Sequence, residues 1–184
     1  VGTGSGTAQF SPDTSFRINM AKASSGNGAT RPRDRLKVRS SGVHGRGVYT
    51  TARIRKGARI IEYTGRHLPW KEAEDKPPRD PANPYHTFLF SLDNGDVIDA
   101  SDGGNESRWI NHSCDPNCET IEESDRIFVH ALRGLDPGEE LFYDYKMVPS
   151  ERRTRKLERE YACLCRTDKC RGTLLEPVKK RRRK

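Results

Sequence analysis

Cys163, Cys165 and Cys170 are separated by one and four residues near the end of this 184-residue chain, and Cys114 and Cys118 lie upstream. A structural zinc takes four thiolate or imidazole ligands in a tetrahedron, with sulfur at about 2.3 Å. Three clustered cysteines do not complete that set, so Cys114 or Cys118 is expected to add the fourth. The plainer alternative is free buried thiols. An odd cysteine count, all beyond residue 113, suits a metal site in a reducing compartment better than a disulfide framework.

Three further segments carry chemically capable groups. Ser41-Gly42-Val43-His44-Gly45-Arg46-Gly47-Val48-Tyr49 has glycines spaced to let backbone approach a ligand, or simply to turn tightly. Thr50 stands where a dinucleotide fingerprint needs its third glycine, and no strand–helix–strand pattern follows. Arg108-Trp109-Ile110-Asn111-His112-Ser113-Cys114-Asp115-Pro116-Asn117-Cys118 places an Asn-His pair between apolar runs, as a ligand contact or as an internally satisfied network. In Gly138-Glu139-Glu140-Leu141-Phe142-Tyr143-Asp144-Tyr145, two tyrosines at period 2 present their hydroxyls to one strand face, for chemistry or only for packing.

The elements that must hold these groups are short strands. Runs at 59–63, 88–92, 97–99, 126–131 and 140–143 are β-branched or aromatic and bounded by Gly, Pro, Asn and Asp. Asn94-Gly95 predicts a two-residue type I′ hairpin turn, and Pro137-Gly138 a second turn. Short helices are expected over 68–76, before Pro77, and over 151–160. Residues 1–33 have no apolar period and read as a disordered leader.

Apolar residues make up 32% and charged residues 33% of the chain, against usual shares of about 45–50% and about 25%. The net charge of +8 lies in the ends: residues 1–33 contribute +3, the six residues 179–184 contribute +6, and residues 34–178 sum to −1. This distribution does not argue for a basic nucleic-acid-binding face on the body, and leaves nonspecific nucleic-acid contact to the tail. No apolar run is long enough for a membrane span, and no export signal is visible, so a soluble protein without membrane partners is expected.

In order, the Gly-x-Gly loop, the Asn-His-Ser-Cys segment, the Glu-Glu-Leu-x-Tyr-Asp-Tyr strand and Cys-x-Cys-x4-Cys resemble the SET-domain family of protein-lysine methyltransferases, with its zinc-binding post-SET segment. Glu62-Tyr63-Thr64-Gly65 and Val97-Ile98-Asp99-Ala100 add to the resemblance, which covers about residues 35–175. It implies a mainly β fold of several small sheets with few short helices and a knot-like crossing near the C-terminal strand. It divides the chain into a SET domain at 34–148, a charged connector at 149–160, a post-SET zinc segment at 161–176 and a basic tail at 177–184. S-adenosyl-L-methionine is expected against His44, Gly45, Arg46, Gly47, Asn111, His112 and Tyr145. A lysine channel is expected from Tyr63, Tyr85, Phe88 and Tyr143, with Tyr145, Tyr143 and Tyr63 as catalytic residues. Cys114, Cys163, Cys165 and Cys170 become the Zn2+ ligands, leaving Cys118 spare.

The implied activity is methylation of lysine in a basic protein such as a histone or histone-like protein. Tyr143, where relatives carry Tyr or Phe, points to mono- or di-methylation rather than efficient tri-methylation. The acidic residues Glu119, Glu122, Glu123 and Asp125 form either a solvated loop or a surface that attracts such a basic substrate. The competing reading is a catalytically silent SET-like module that binds peptide or nucleic acid. The basic tail suits a nuclear or chromosome-associated protein, or else a cytoplasmic one with a solubilising end.

Overall fold

The computed structural model describes residues 35–77, 87–149 and 151–177. The expected leader, the channel candidate Tyr85 and the basic tail beyond Pro177 lie outside the described residues. Among the described residues the fold is mainly β, in four small sheets. Strands β1 (Leu36–Ser40) and β2 (Arg46–Thr50) form an antiparallel pair. Strand β3 (Arg59–Tyr63) pairs with β9 (Arg126–Ala131), which also pairs with β8 (Cys118–Glu123). Strand β6 (Asp96–Asp99) sits between β4 (Arg66–Pro69) and β5 (Leu89–Ser91). The two-residue strands β7 (Asn111–His112) and β10 (Phe142–Tyr143) run parallel, at the place where the crossing is expected.

Alternation breaks in β3, where consecutive Ile60 and Ile61 are both buried. The register to β9 shifts between Arg59 and Ile61, and this bulge admits one extra residue. Ile60, Ile61, Val48, Ile110, Val129, Leu135, Leu141 and Tyr143 share the main core. A second cluster joins Tyr63, Phe88, Leu92, Ile98, Ala100 and Ile127, so Tyr63 and Phe88 on one side and Tyr143 on the other stand at the seam of two cores.

The Pro137-Gly138 turn forms, closed by Glu139 N–H on Asp136 O, while the Asn94-Gly95 expectation is corrected. Gly95 alone takes positive φ, at +90°, and Asn94 does not. Leu92 accepts from Gly95 N–H at 3.0 Å and donates to Asp96 O at 2.9 Å, the pattern of a three-residue loop closed by glycine in a bulge. The Asn94 side chain accepts from Asp96 N–H instead of turning left-handed. The two-residue turn with positive φ at both positions is Ser124-Asp125, between β8 and β9, and Asn94 Nδ2 donates to Asp125 across the two turns. The first helix, α1, is confined to Trp70–Glu74, because Leu68 is drawn into β4 against Val97 and Ala73. The second, α2, covers Arg155–Glu160 and begins where the Thr154 side chain caps Leu157 N–H at 3.2 Å.

Candidate active site and metal centre

The glycine loop is held by Asn111. Its side-chain amide donates to the carbonyls of Arg46 at 2.7 Å and His44 at 3.1 Å, and lies 3.2 Å from Glu140 Oε1. β7 thereby sets the shape of a loop more than sixty residues earlier. Gly45 has φ of +50° and open space where a Cβ would stand, whereas a Cβ on Gly47 would run into the Glu140 carboxylate. That carboxylate also accepts from the Tyr49 hydroxyl at 2.7 Å. The Arg46 guanidinium lies 4.8 Å above the Trp109 ring, and Arg108 lies 5.1 Å from the same ring. An adjoining cleft of about 520 Å3 is lined by Ser113, Asn117, Glu140, Phe142, Cys165 and Thr167, among others. Open backbone at Gly45 and cations beside an aromatic ring fit a polar, charged cofactor.

The tyrosines converge. The rings of Tyr63 and Phe90 are 5.3 Å apart, those of Phe90 and Tyr143 6.1 Å, and those of Tyr143 and Tyr145 5.0 Å. Strand β10 ends at Tyr143, yet Tyr145 remains on the same aromatic wall. The Tyr145 hydroxyl donates to Ile110 O at 2.8 Å, and the Tyr63 hydroxyl to Phe88 O at 2.8 Å. Burial raises all three phenols above their ordinary range, so they stay protonated donors at neutral pH. Phe88 stands edge-on to Trp109 at 4.9 Å, inside the second core with Tyr63, and its carbonyl accepts from the Tyr63 hydroxyl. Phe90 is the phenylalanine between the tyrosine rings. Sequence reasoning passed over it, although its place two residues after Phe88 on a strand was the available signal.

Cys114, Cys163, Cys165 and Cys170 come together with all four sulfurs within 4.8 Å of one another. Cys114 and Cys163 are 3.7 Å apart, close to the edge of about 3.8 Å that a tetrahedron with 2.3 Å metal–sulfur bonds requires. The four-cysteine cluster therefore fits a thiolate-bound zinc. Burial opposes ionisation of Cys165, but hydrogen bonds from Thr167 and its neighbours outweigh it and hold its thiol below the ordinary range. Cys118 stands apart, fully buried in β8, where burial pushes its thiol to about 12.

His112 joins the two sites. Its Nδ1 accepts from Tyr145 N–H at 3.1 Å, which assigns the ring proton to Nε2, 3.3 Å from Cys114 Sγ. Burial lowers its pKa to about 4 and Arg171 adds to the effect, against the opposing pull of Asp144, so the ring is neutral. Arg171, next to Cys170, makes a second link. Its guanidinium donates to both oxygens of Asp144, at 2.9 and 2.6 Å, and its backbone N–H points at Cys114 Sγ. Asp144 lies between Tyr143 and Tyr145. Asn117 is a further unforeseen splint: its amide donates to Glu140 O and accepts from Phe142 N–H, both at 2.8 Å, fixing the approach to β10.

The family model of the SET domain matches residues 45–146. Histone-lysine N-methyltransferase set1 of Dictyostelium discoideum is 36% identical over 147 residues, which are 77% of this chain and 9% of that protein. An H3 lysine-4 specific histone-lysine N-methyltransferase of Neurospora crassa is 39% identical over 144 residues, 76% of this chain and 11% of its own length. Human histone-lysine N-methyltransferase 2B is 35% identical over 146 residues, 77% of this chain and 5% of its own. The chain thus spans about a tenth or less of the length of these relatives.

Proposed function

Because this chain belongs to the SET-domain family, we propose that it is a protein-lysine N-methyltransferase that uses S-adenosylmethionine and acts on a basic protein such as a histone or histone-like protein. The observation that carries this reading is the aromatic wall of Tyr63, Phe90, Tyr143 and Tyr145, set beside a glycine loop tied down by Asn111. S-adenosylmethionine, when bound, supplies an electrophilic sulfonium methyl.

The chain's own residues prepare the amine. A free lysine, with a pKa near about 10.4, is almost wholly protonated at neutral pH and has no lone pair to attack with. Aromatic rings that strip water from its side chain favour the neutral form. No carboxylate or imidazole base is needed at the wall; proton loss to solvent before closure suffices. With its hydroxyl proton committed to Ile110 O, Tyr145 presents oxygen lone pairs and a fixed ring edge to align the neutral nitrogen. Tyr143 narrows the same wall, which supports mono- or di-methylation. Asn111 and the glycine loop hold the cofactor's polar end, and Cys114, Cys163, Cys165 and Cys170 hold zinc as a structural ion. The domain division at 34–148, 149–160 and 161–176 belongs to the same proposal, as does a chromosomal site of action.

The test is transfer of labelled methyl to core histones and to a basic peptide pool, with Tyr145→Phe beside the wild type. Label on lysine that falls by about a hundredfold or more in the variant is expected. No label together with no cofactor binding by the folded, zinc-loaded protein would replace this reading with that of a silent module that binds peptide or nucleic acid.

A further inference from the structure

The near-balance of charge over residues 34–178 conceals a segregation between two of its segments. Acidic side chains gather on the β8–β9 hairpin, at Glu119, Glu122, Glu123 and Asp125. Strand β1 has the opposite character. Lys37 and Arg39 alternate with Leu36 and Val38, and while the apolar pair packs on the main core, the two cations are exposed. Arg35 stands one further two-residue step back, and its carbonyl accepts from Thr51 N–H at 2.7 Å, so the pairing with the β2 side continues past the end of β1. In sequence, the alternation continues through Arg33 to Arg31.

The described cations divide into those that an ion pair neutralises and those that meet no carboxylate, Arg152, Arg155 and Arg159 around α2 among the latter. Arg59, Arg66, Arg126, Arg133 and Arg171 each meet a carboxylate within ion-pair distance. Among the described residues, Arg35, Lys37 and Arg39 meet none. The nearby carboxylate of Glu140 is engaged by the Tyr49 hydroxyl. Tyr49 faces Lys37 in register, and its ring lies 5.5 Å from the Arg39 guanidinium. That contact restricts the guanidinium while leaving its N–H edge for an anion.

The spacing suggests the anion. Alternate side chains on a strand recur about every 6.8 Å. Each phosphate step of one strand of duplex DNA advances about 3.4 Å along the axis and also turns around it, which sets successive phosphates roughly 7 Å apart, so cations two residues apart match successive phosphates. We propose that the outer face of β1, through Arg35, Lys37 and Arg39, binds the phosphate backbone of duplex DNA. Arg39 is paired with Gly47, so the bound duplex lies against the sheet that carries the glycine loop. The enzyme would thereby be held beside basic proteins already bound to that DNA. No base-reading group is involved, so the contact is independent of sequence.

Binding is measured by fluorescence anisotropy with the full chain and a labelled duplex of about 20 base pairs, across about 50 to 300 mM salt, because each lost phosphate contact lowers the log–log salt slope by about 0.9. The triple variant Arg35→Gln, Lys37→Gln, Arg39→Gln is expected to reduce the slope by about 2.7. The comparison variant Arg152→Gln, Arg155→Gln, Arg159→Gln removes three exposed cations around α2, and its slope should stay within about 0.5 of wild type. Both keep the basic tail, so its contribution cancels. Equal changes in the two variants, or an unchanged slope in the first, would overturn the proposal. Should the first variant melt early, Lys37→Gln alone carries the test, with an expected drop of about 0.9. None of these readings depends on methyl transfer, so a negative result here leaves the catalytic reading standing.

Discussion

Tyr145 is fixed from three directions: its hydroxyl by Ile110 O, its backbone N–H by His112, and its ring by Tyr143. Its neighbour Tyr143 is the position where one atom should change the product. Tyr143→Phe removes a hydroxyl from the wall without altering ring packing, and mass spectrometry of the methylated substrate should show a shift toward tri-methyl-lysine at a turnover within a few-fold of wild type. Arg171 acts through Asp144 rather than on substrate. Arg171→Lys keeps the charge but loses the fork that engages both carboxylate oxygens. Arg171→Lys and Asp144→Asn should each lower kcat about tenfold or more with KM little changed, and the double variant should lose no more than the worse single one, a coupling of about 1–3 kcal/mol. Cobalt absorption of the cysteine site should be unchanged in all three. Additive losses would mean that the two side chains act separately.

At the scale of elements, short strands stay in place because polar side chains complete what their ladders are too short to hold. Asn117 splints β10, Asn111 ties β7 to the glycine loop, and Asp99 joins β6 to the end of α1 through Lys76 Nζ at 2.8 Å. Burial opposes ionisation of Asp99, but hydrogen bonds from Lys76 and Ser101 outweigh it and hold the carboxyl below its ordinary range. The native state therefore binds this proton less readily than the unfolded chain does. Its contribution to stability is complete above the usual aspartate pKa of about 3.9 and is lost as pH falls through the lower native value. Asp99→Asn should destabilise the protein at neutral pH and flatten the decline in stability below about pH 4, as measured by urea unfolding across pH. A decline as steep as in wild type would assign the acid limb to other carboxylates. Glycine placement also acts at this scale: a Cβ on Gly65 would collide with the backbone of Asp99 and Ala100, where β6 ends against the turn from β3 to β4.

Across the whole molecule, the cysteine cluster joins the last described segment to the centre of the fold, since Cys114 follows β7 directly while Cys163, Cys165 and Cys170 lie some fifty residues later. Chelation of the metal should therefore abolish methyl transfer and at the same time open 163–171 to trypsin at Arg166, Lys169 and Arg171, with zinc restoring both; activity that survived chelation would separate the two sites. The sequence by itself determined a fold of short strands, the four chemical segments and their family resemblance, because β-branched runs, glycine and cysteine spacing are local properties, but it read Leu68 as helical and 119–123 as loop where strands β4 and β8 lie. It predicted the 59–63 and 126–131 strands to the residue. Spacing left open which of Cys114 and Cys118 joins the cluster, and the resemblance assigned Cys114, as the structure has it; neither showed that Phe90 lies between the tyrosine rings or that Glu140, Asn117 and Arg171 are structural partners of the site. The sequence also assigned the two-residue turn to Asn94-Gly95 instead of Ser124-Asp125, and found no basic face where β1 exposes one. Each of these depends on contacts between residues distant in the chain, or on which of two faces meets the core. Side-chain packing and strand register settle those choices only once the sheets have assembled.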